Sequence, residues 1–191
     1  MRESDGGVTM KSIKVLGICG ALRSGSTNRK LLAEAVRILT PDTYAEANLR
    51  LPLYDGDLEK NAGIPAEVQA LADQILAADA VIISTPEYNK NLPGVLKNAL
   101  DWVSRTKGAP WRDKPVAIMS AADGRAGGER SQFSLRHCLT PFRPRLITGP
   151  EVMIANSSEA FDENGRLKDE RSIKVLTELM DVLGREIRRS I

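Results

Sequence analysis

The 191-residue sequence is poor in the residues that most often build a metal or hydrolytic site, with one histidine and two cysteines. Cys19 and Cys138 lie far apart, neither belongs to a C-x-x-C motif, and with His137 they make a poor set of metal ligands. No Ser/His/Asp set or pair of carboxylates stands out. We therefore predict no metal site and no acid–base catalytic residue, and we interpret His137 as a structural or surface residue.

Long hydrophobic runs and a strong charge of either sign are also missing. The longest uncharged apolar runs are about strand length, well short of the ~18 residues that indicate a membrane span. The first residues, M-R-E-S-D-G-G-V-T-M, lack the apolar region of a signal peptide. The formal net charge is +2 and the basic residues are dispersed, whereas nucleic-acid binders concentrate them. We predict a cytoplasmic protein with reduced cysteines and neither membrane nor nucleic acid as partner.

The rest of the chain is organised as one domain. Residues 1–10 are predicted to be a disordered leader or an expression remnant, and residues 11–191 a single domain. Strands are predicted at 13–19, 44–49, 80–84, 115–120, 146–148 and 152–155, and helices at 28–39, 65–78, 93–104, 127–139 and 173–187, with a long irregular loop at 51–65. Strands that are apolar on both faces, each followed by a helix, indicate a parallel sheet covered by helices on both sides. Such sheets bind ligands at the carboxyl ends of their strands.

The turn after the first strand, G-A-L-R-S-G-S-T-N at 20–28, is more polar than a helix start requires. A strand-to-helix turn presents unpaired N–H groups and the positive end of the helix dipole, which favour an anion. The hydroxyl and amide side chains there can donate hydrogen bonds, and arginine adds a charge-assisted pair. The turn therefore predicts a site for a compact dianion such as a terminal phosphate, formed by Arg23, Ser24, Ser26, Thr27 and Asn28. The alternative is an ordinary helix cap at Thr27 or Asn28.

Three better-known phosphate loops do not fit this turn. Gly20 and Gly25 have the spacing of a Walker A loop, but Ser26 stands where its lysine should be. The G-x-G-x-x-G fingerprint of dinucleotide-binding domains is absent. A cysteine phosphatase loop would need arginine six places after Cys19, where the sequence has Gly25. The turn therefore depends on its own side chains.

Two later loops follow predicted strands and complete the predicted site. The first, T-P-E-Y-N-K-N-L-P-G, is stiffened by Pro86 and can offer backbone groups to a planar heteroaromatic ring, with Tyr88 packing nearby. The second, S-A-A-D-G-R-A-G-G-E-R, contains Gly124, Gly127 and Gly128, where backbone can approach a ligand closely. Taken alone, the first is also compatible with a surface turn, and the second is weak evidence.

Together the three loops resemble the NADPH-dependent FMN reductases, a flavodoxin-like family that includes quinone, chromate, azo-dye and ferric reductases. The likeness runs from about Lys11 to Pro150, and its most specific element is P-E-Y-N with the downstream P-G-V-L-K-N-A-L-D-W. The sequence departs from many relatives at Ala21, where a serine hydroxyl is missing, and at Arg125, near the expected entry of nicotinamide or acceptor.

The resemblance implies a doubly wound, five-stranded parallel sheet in the order 2-1-3-4-5, with FMN held non-covalently at the carboxyl ends of strands 1, 3 and 4. It places the FMN phosphate on the five residues of the first turn. It places the isoalloxazine between two further sets, Pro86, Glu87, Tyr88 and Asn89 on one side and Ser120, Asp123 and Gly124 on the other. The backbone of Glu87 is expected to matter more than its carboxylate.

The resemblance also implies a reaction and an assembly. A reduced nicotinamide, NADPH or NADH, would pass hydride to flavin N5, leave, and be replaced by a small-molecule acceptor in a ping-pong cycle. The helix at 93–104 would form a homodimer interface beside the flavin, possibly within a tetramer, with Trp102 and Trp111 contributing. Two alternatives stay open: a flavodoxin-type electron carrier without NAD(P)H activity, and a flavin-free sensor of a phosphate ligand.

Overall fold

Strands and helices alternate along residues 12–190, the part of the chain that the computed structural model describes. The predicted leader at residues 1–10 lies outside this part. The strands are β1 Lys14–Cys19, β2 Thr43–Glu46, β3 Ala80–Thr85, β4 Pro115–Ala121, β5 Arg145–Leu146 and β6 Val152–Ile154. The helices are α1 Thr27–Leu39, α2 Gly56–Ala62, α3 Ala66–Ala77, α4 Gly94–Val103, α5 Glu129–Leu139 and α6 Glu170–Arg188, with a 3-10 turn at Thr140–Phe142.

All strand pairs are parallel, and the strand order is β2-β1-β3-β4-β5, which confirms the predicted order 2-1-3-4-5. The fifth position is divided, because β5 pairs with the start of β4 and β6 with its end. Between these two short strands the chain contains Pro150, which has no N–H to donate to a ladder. The sheet therefore has six strands in five positions.

The central strands are buried because helices cover both faces of the sheet. Every residue of β3 and of β4 is buried. One apolar cluster joins the sheet to α1 and α6, and a second joins it to α3, α4 and α5. The apolar stripe predicted for the closing helix lies in the first cluster, with Leu176, Met180, Leu183 and Ile187 buried and Ile173 partly buried.

The predicted irregular loop at 51–65 is wrong in one part, because it contains the seven-residue helix α2. Asp55 caps this helix by accepting the N–H of Asp57 at 2.8 Å. No residue of α2 is buried, so the helix shows no apolar periodicity in the sequence. Only its cap could have indicated it.

Both tryptophans are buried inside the chain, and the prediction that they contribute to a dimer contact is therefore wrong. The indole N–H of Trp102 donates to the carbonyl of Pro52 at 2.8 Å, and its ring meets Tyr54 edge to face at 5.0 Å. Trp111 packs in the cluster beneath α4 and α5. Trp102 thus connects the segment that precedes α2 with helix α4, and Trp111 fills the interior.

Within the described part of the chain, no helix is long and apolar enough to cross a bilayer. The same residues contain no group of three His, Cys, Asp or Glu side chains arranged to hold a metal ion. Cys19 is buried, Cys138 is partly buried, and neither forms a disulfide. His137 is exposed on α5.

Candidate functional site

The loops that follow β1, β3 and β4 surround a cavity of about 680 Å³ at the carboxyl ends of these strands. This volume lies within the range of ligand pockets, about 300–1,000 Å³. All of the predicted site residues line the cavity except Ser24 and Ser120. The predicted site residues that line the cavity are Arg23, Ser26, Thr27, Asn28, Pro86, Glu87, Tyr88, Asn89, Asp123 and Gly124.

The turn after β1 leaves backbone donors free at the start of α1. Ser26 is the N-cap, where the alternative interpretation had Thr27 or Asn28, and its hydroxyl accepts the N–H of Asn28 at 3.2 Å. The N–H groups of Gly25 and Thr27 have no partner among residues 12–190. Free donors at a helix amino end attract anions, so this end of the cavity is suited to a phosphate.

Arginines support the same turn. The guanidinium of Arg23 donates to the carbonyl of Gly25 at 2.9 Å and is otherwise exposed at the mouth of the cavity. Arg29 donates to the carbonyl of Arg23 at 3.2 Å and pairs with Glu46 at 2.6 Å. Ser24 is exposed in this turn outside the cavity lining. The turn thus presents the charged side chain of Arg23 to the cavity, and the side chain of Arg29 stabilises the turn through its hydrogen bond to the Arg23 carbonyl.

Asn28 lies at the cavity wall, but its side chain is bonded mainly within the protein. Its Oδ1 accepts the hydroxyl of Ser84 at 2.9 Å and the N–H of Ala121 at 3.0 Å. Its Nδ2 donates to the carbonyl of Ala121 at 2.8 Å. Both acceptor positions and one of the two donor hydrogens of the carboxamide are therefore already used.

The loop after β3 ends in a tight turn that projects two polar residues over the cavity. Tyr88 and Asn91 exchange both backbone hydrogen bonds at 3.1 Å. The two central residues, Asn89 and Lys90, have φ of 50° and 65°. Positive φ at both central positions defines a type I′ turn, in which asparagine is favoured. The tyrosine ring beside this turn is half exposed at the rim of the cavity.

The carboxylate of Glu87 has a structural role that the sequence did not indicate. It accepts the N–H of Arg130 at 3.1 Å and lies 3.6 Å from the guanidinium of the same residue. This pair connects the loop after β3 to the start of α5. The side chain therefore has a role of its own beside the one expected for the Glu87 backbone.

The glycines of the loop after β4 serve different purposes. A Cβ on Gly127 would lie 2.7 Å from the carbonyl carbon of Met153, and one on Gly128 would lie 2.8 Å from the Cβ of Ser120. These two glycines are required for packing against the protein itself, contrary to the interpretation that they admit a ligand. Gly124 has open space around it at the cavity.

Ser120 supports this loop from behind. It is fully buried, its hydroxyl donates to the carbonyl of Gly127 at 2.6 Å, and it accepts from Gln132 at 2.8 Å. Its effect on the cavity therefore passes through the position of the glycine turn.

Ser157 is a cavity residue that the sequence analysis missed. Its hydroxyl accepts from Thr27 at 3.2 Å and donates to Asp123 at 3.1 Å. The N–H of Ser158 also donates to Asp123 at 2.8 Å, and the hydrogen bonds from the two serines hold the pKa of Asp123 below its ordinary value. The only signal was a pair of serines just beyond the last strand, far along the chain from the other loops.

Two ionisable groups behind the first turn are held neutral by burial. Burial, aided by the charge of Glu46, raises the pKa of Tyr44 to about 12. Burial likewise raises the pKa of the Cys19 thiol. A thiol nucleophile must be deprotonated, so Cys19 is unsuited to covalent catalysis at neutral pH.

Comparison with known proteins identifies the family to which the chain is similar. The family model described as NADPH-dependent FMN reductase matches residues 13–159. The chain is 42% identical over 179 residues to an NAD(P)H-dependent FMN reductase of Pseudomonas aeruginosa, covering 93% of this chain and 96% of the relative. It is 36% identical over 184 residues to a quinone reductase of Escherichia coli, covering 94% and 97%.

Among solved structures, the flavoenzyme NAD(P)H:(acceptor) oxidoreductase of Paracoccus denitrificans is similar to this chain with a TM-score of 0.83 and 32% identity. The likeness covers 93% of this chain and 98% of that protein. The similarity therefore spans the sheet, the helices and all three loops of the cavity.

Proposed function

Because the chain belongs to the NADPH-dependent FMN reductase family, we propose that it uses FMN at this cavity to transfer electrons from NAD(P)H to quinones. The protein is a flavodoxin-like NAD(P)H-dependent reductase. We also propose that chromate, ferric chelates and azo dyes can act as acceptors. The proposed reaction order is ping-pong, in which nicotinamide and acceptor use one opening in turn, and the proposed location is the cytoplasm.

One observation carries the proposal: the cavity is chemically divided into an anion end and a loop-lined end. At the first end lie the free N–H group of Thr27 and the guanidinium of Arg23, with the free N–H group of Gly25 in the same turn. The loops after β3 and β4 line the rest of the cavity. FMN carries a monophosphate at one end and a planar ring at the other, so these residues fit it.

The proposal assigns each residue of the predicted set to one end. Arg23 and the first turn of α1 with Ser26, Thr27 and Asn28 hold the phosphate, and Ser24 is assigned to the same end although it lies outside the cavity lining. The ring lies between two sets of residues, Pro86, Glu87, Tyr88 and Asn89 on one side and Asp123 and Gly124 on the other. Ser120 acts from behind this second set by fixing the Gly127 carbonyl.

FMN supplies hydride and electron transfer when bound, and the protein supplies binding and orientation. No acid or base of the protein is needed for this division of labour. The two loops would flank the ring, and the half-exposed Tyr88 lies in the lining of the cavity.

The rim of the cavity is basic where the nicotinamide dinucleotide is proposed to enter. Arg125 is exposed and has no ion pair among residues 12–190, while Arg130 is paired with Glu87. A guanidinium at this rim suits a dinucleotide phosphate. We propose that both NADPH and NADH are accepted.

Anaerobic mixing with NADPH tests the proposed function directly. The purified protein, saturated with FMN, is expected to lose its visible flavin absorption within seconds of mixing, and to regain it when a quinone is added. A flavin band that persists would favour an electron carrier of the flavodoxin kind. A protein that is colourless after incubation with FMN and removal of the unbound flavin by gel filtration would favour a flavin-free phosphate sensor.

Replacing Arg23 with alanine is expected to weaken FMN binding by about tenfold, because one charge-assisted contact to the phosphate is lost. Fluorescence titration of the apoprotein with FMN measures the dissociation constant. Arg112→Ala removes an exposed arginine outside the cavity lining and is expected to leave this constant unchanged. Equal affinities in wild type and Arg23→Ala would contradict the phosphate assignment.

We also propose that the protein is a homodimer, and that two dimers can form a tetramer. Three exposed apolar side chains support this, Leu53, Tyr88 and Phe133, which are 81%, 50% and 55% exposed, and Tyr88 is the one that also lines the cavity. Large apolar and aromatic side chains of this kind are enriched at subunit contacts. Sedimentation at micromolar concentration tests the proposal, and a monomer in that experiment would contradict it.

A further inference from the structure

Asn28 occupies an unusual place for a residue of a predicted phosphate turn. It lies in the first turn of α1 and is 1% exposed, and its carboxamide reaches across the end of β1 to two other strands. Its three side-chain hydrogen bonds, to Ser84 and twice to Ala121, all go to the carboxyl ends of β3 and β4. A residue placed only to bind an anion would not need these bonds.

The sheet itself leaves a gap that the carboxamide fills. The ladder between β3 and β4 ends at the pair Thr85 and Ser120. The residue that follows β3 is Pro86, which has no N–H to donate. The next residue of β4, Ala121, gives both its N–H and its C=O to Asn28. The side chain thus replaces a backbone hydrogen bond of the ladder at the point where β3 and β4 end.

The segments that follow β3 and β4 form the two loops at the ring end of the cavity. Pro86 begins the loop after β3, and Ala121 is the last residue of β4, directly before the loop that follows it. The hydrogen bond from Ser84 ties the same Oδ1 to the first of these strands. The carboxamide is therefore bonded to both sides of the opening.

We propose that Asn28 is a positioning residue whose carboxamide fixes the distance between the loops after β3 and β4. This proposal rests on the proposed function, which places the flavin ring between those loops. It changes the role assigned to the side chain, because its main effect is on the ring rather than on the phosphate. It also explains why the asparagine is buried although Arg23, Ser24 and Gly25 of the same turn are exposed.

Comparing FMN with riboflavin separates the two roles, because riboflavin has the same ring and no phosphate. Asn28→Ala is expected to weaken both ligands by a similar factor, about tenfold, since the loss leaves buried polar groups of Ala121 without partners. Arg23→Ala is expected to weaken FMN alone. Dissociation constants for both flavins are measured on the apoprotein by fluorescence titration.

A variant that is simply less stable is the necessary control. Ile75→Val lies in α3, buried outside the cavity lining, and is expected to lower stability without changing either dissociation constant. Hydrogen exchange on the apoprotein gives a readout of the bond itself. In Asn28→Ala the amide of Ala121 is expected to exchange at least about tenfold faster, with the Ile83 amide in the middle of β3 unchanged.

Ser84→Ala carries the test if Asn28→Ala does not fold. It removes one of the three bonds from a buried residue outside the cavity lining, and both flavins are expected to bind about threefold more weakly. Loss of affinity for FMN alone in the Asn28 or Ser84 variant would overturn the proposal, as would unchanged affinity for both flavins. A wild-type protein that binds neither flavin would instead overturn the proposed function.

Discussion

Replacing Gly127 with alanine lowers the free energy of unfolding by about 3–5 kcal/mol, the largest effect expected from any single methyl group at the site. Its φ is +58°, a region that alanine avoids. The added Cβ would also lie 2.7 Å from the carbonyl carbon of Met153 and 2.9 Å from its oxygen. These are backbone atoms of β6, so relief requires the strand itself to move. Urea unfolding of the apoprotein, followed by circular dichroism, measures the change.

Gly124 provides a matched control in the same loop. A Cβ added there would have no heavy atom within 4 Å, and its φ is not positive, so Gly124→Ala is expected to change stability by less than about 0.5 kcal/mol. Similar stabilities for the Gly127 and Gly124 variants would show that the loop adapts to a side chain. The contact with Met153 would then not be what requires glycine.

Replacing Glu34 with glutamine is expected to lower the free energy of unfolding by about 2 kcal/mol at pH 7, because the charge-assisted hydrogen bonds from two arginines to a buried carboxylate are lost. The side chain is 4% exposed and pairs with Arg37 at 2.9 Å and Arg166 at 2.7 Å. Both arginines are themselves about half exposed, which keeps the effect below that of a fully buried pair. Through Arg166, this carboxylate holds the segment between β6 and α6 against α1.

The same variant predicts a pH dependence with a definite sign. Burial alone would raise the pKa of Glu34, but the hydrogen bonds from Arg37 and Arg166 outweigh it and hold this pKa below its ordinary value. The stabilisation is therefore fully present above the unfolded-state pKa, about 4.3. It is lost as the pH falls through the folded-state pKa. The stability difference between wild type and variant should be constant from pH 7 to about 5 and shrink on further acidification. A difference that grows in acid would contradict this assignment.

The sheet and most of the site could be predicted because their signals are local. Buried strands such as β3 and β4 are apolar throughout, and each is followed by a loop whose polar residues stand out against it. The carboxyl-end rule then brings distant loops together without any knowledge of contacts. Helix α2 escaped because a short helix with no buried residue leaves no periodic pattern.

What could not be predicted depends on contacts between residues far apart in the chain. The carboxamide of Asn28 is hydrogen-bonded to Ala121, and Ser157 is hydrogen-bonded to Thr27, although the partners in each pair are far apart in the sequence. Gly127 and Gly128 are glycines because of Met153 and Ser120, and a sequence shows only that glycine follows a strand. Such pairs become visible only when the strands have been placed side by side.

The burial of both tryptophans determines what intrinsic fluorescence can report about this protein. Trp102 on α4 and Trp111 beneath α5 lie on one side of the sheet and are shielded from water, so their emission should shift to longer wavelength when that side opens. The side covered by α1 and α6 contains no tryptophan within residues 12–190. Loosening confined to that half would leave the emission spectrum unchanged, and a probe of helix content would reveal it.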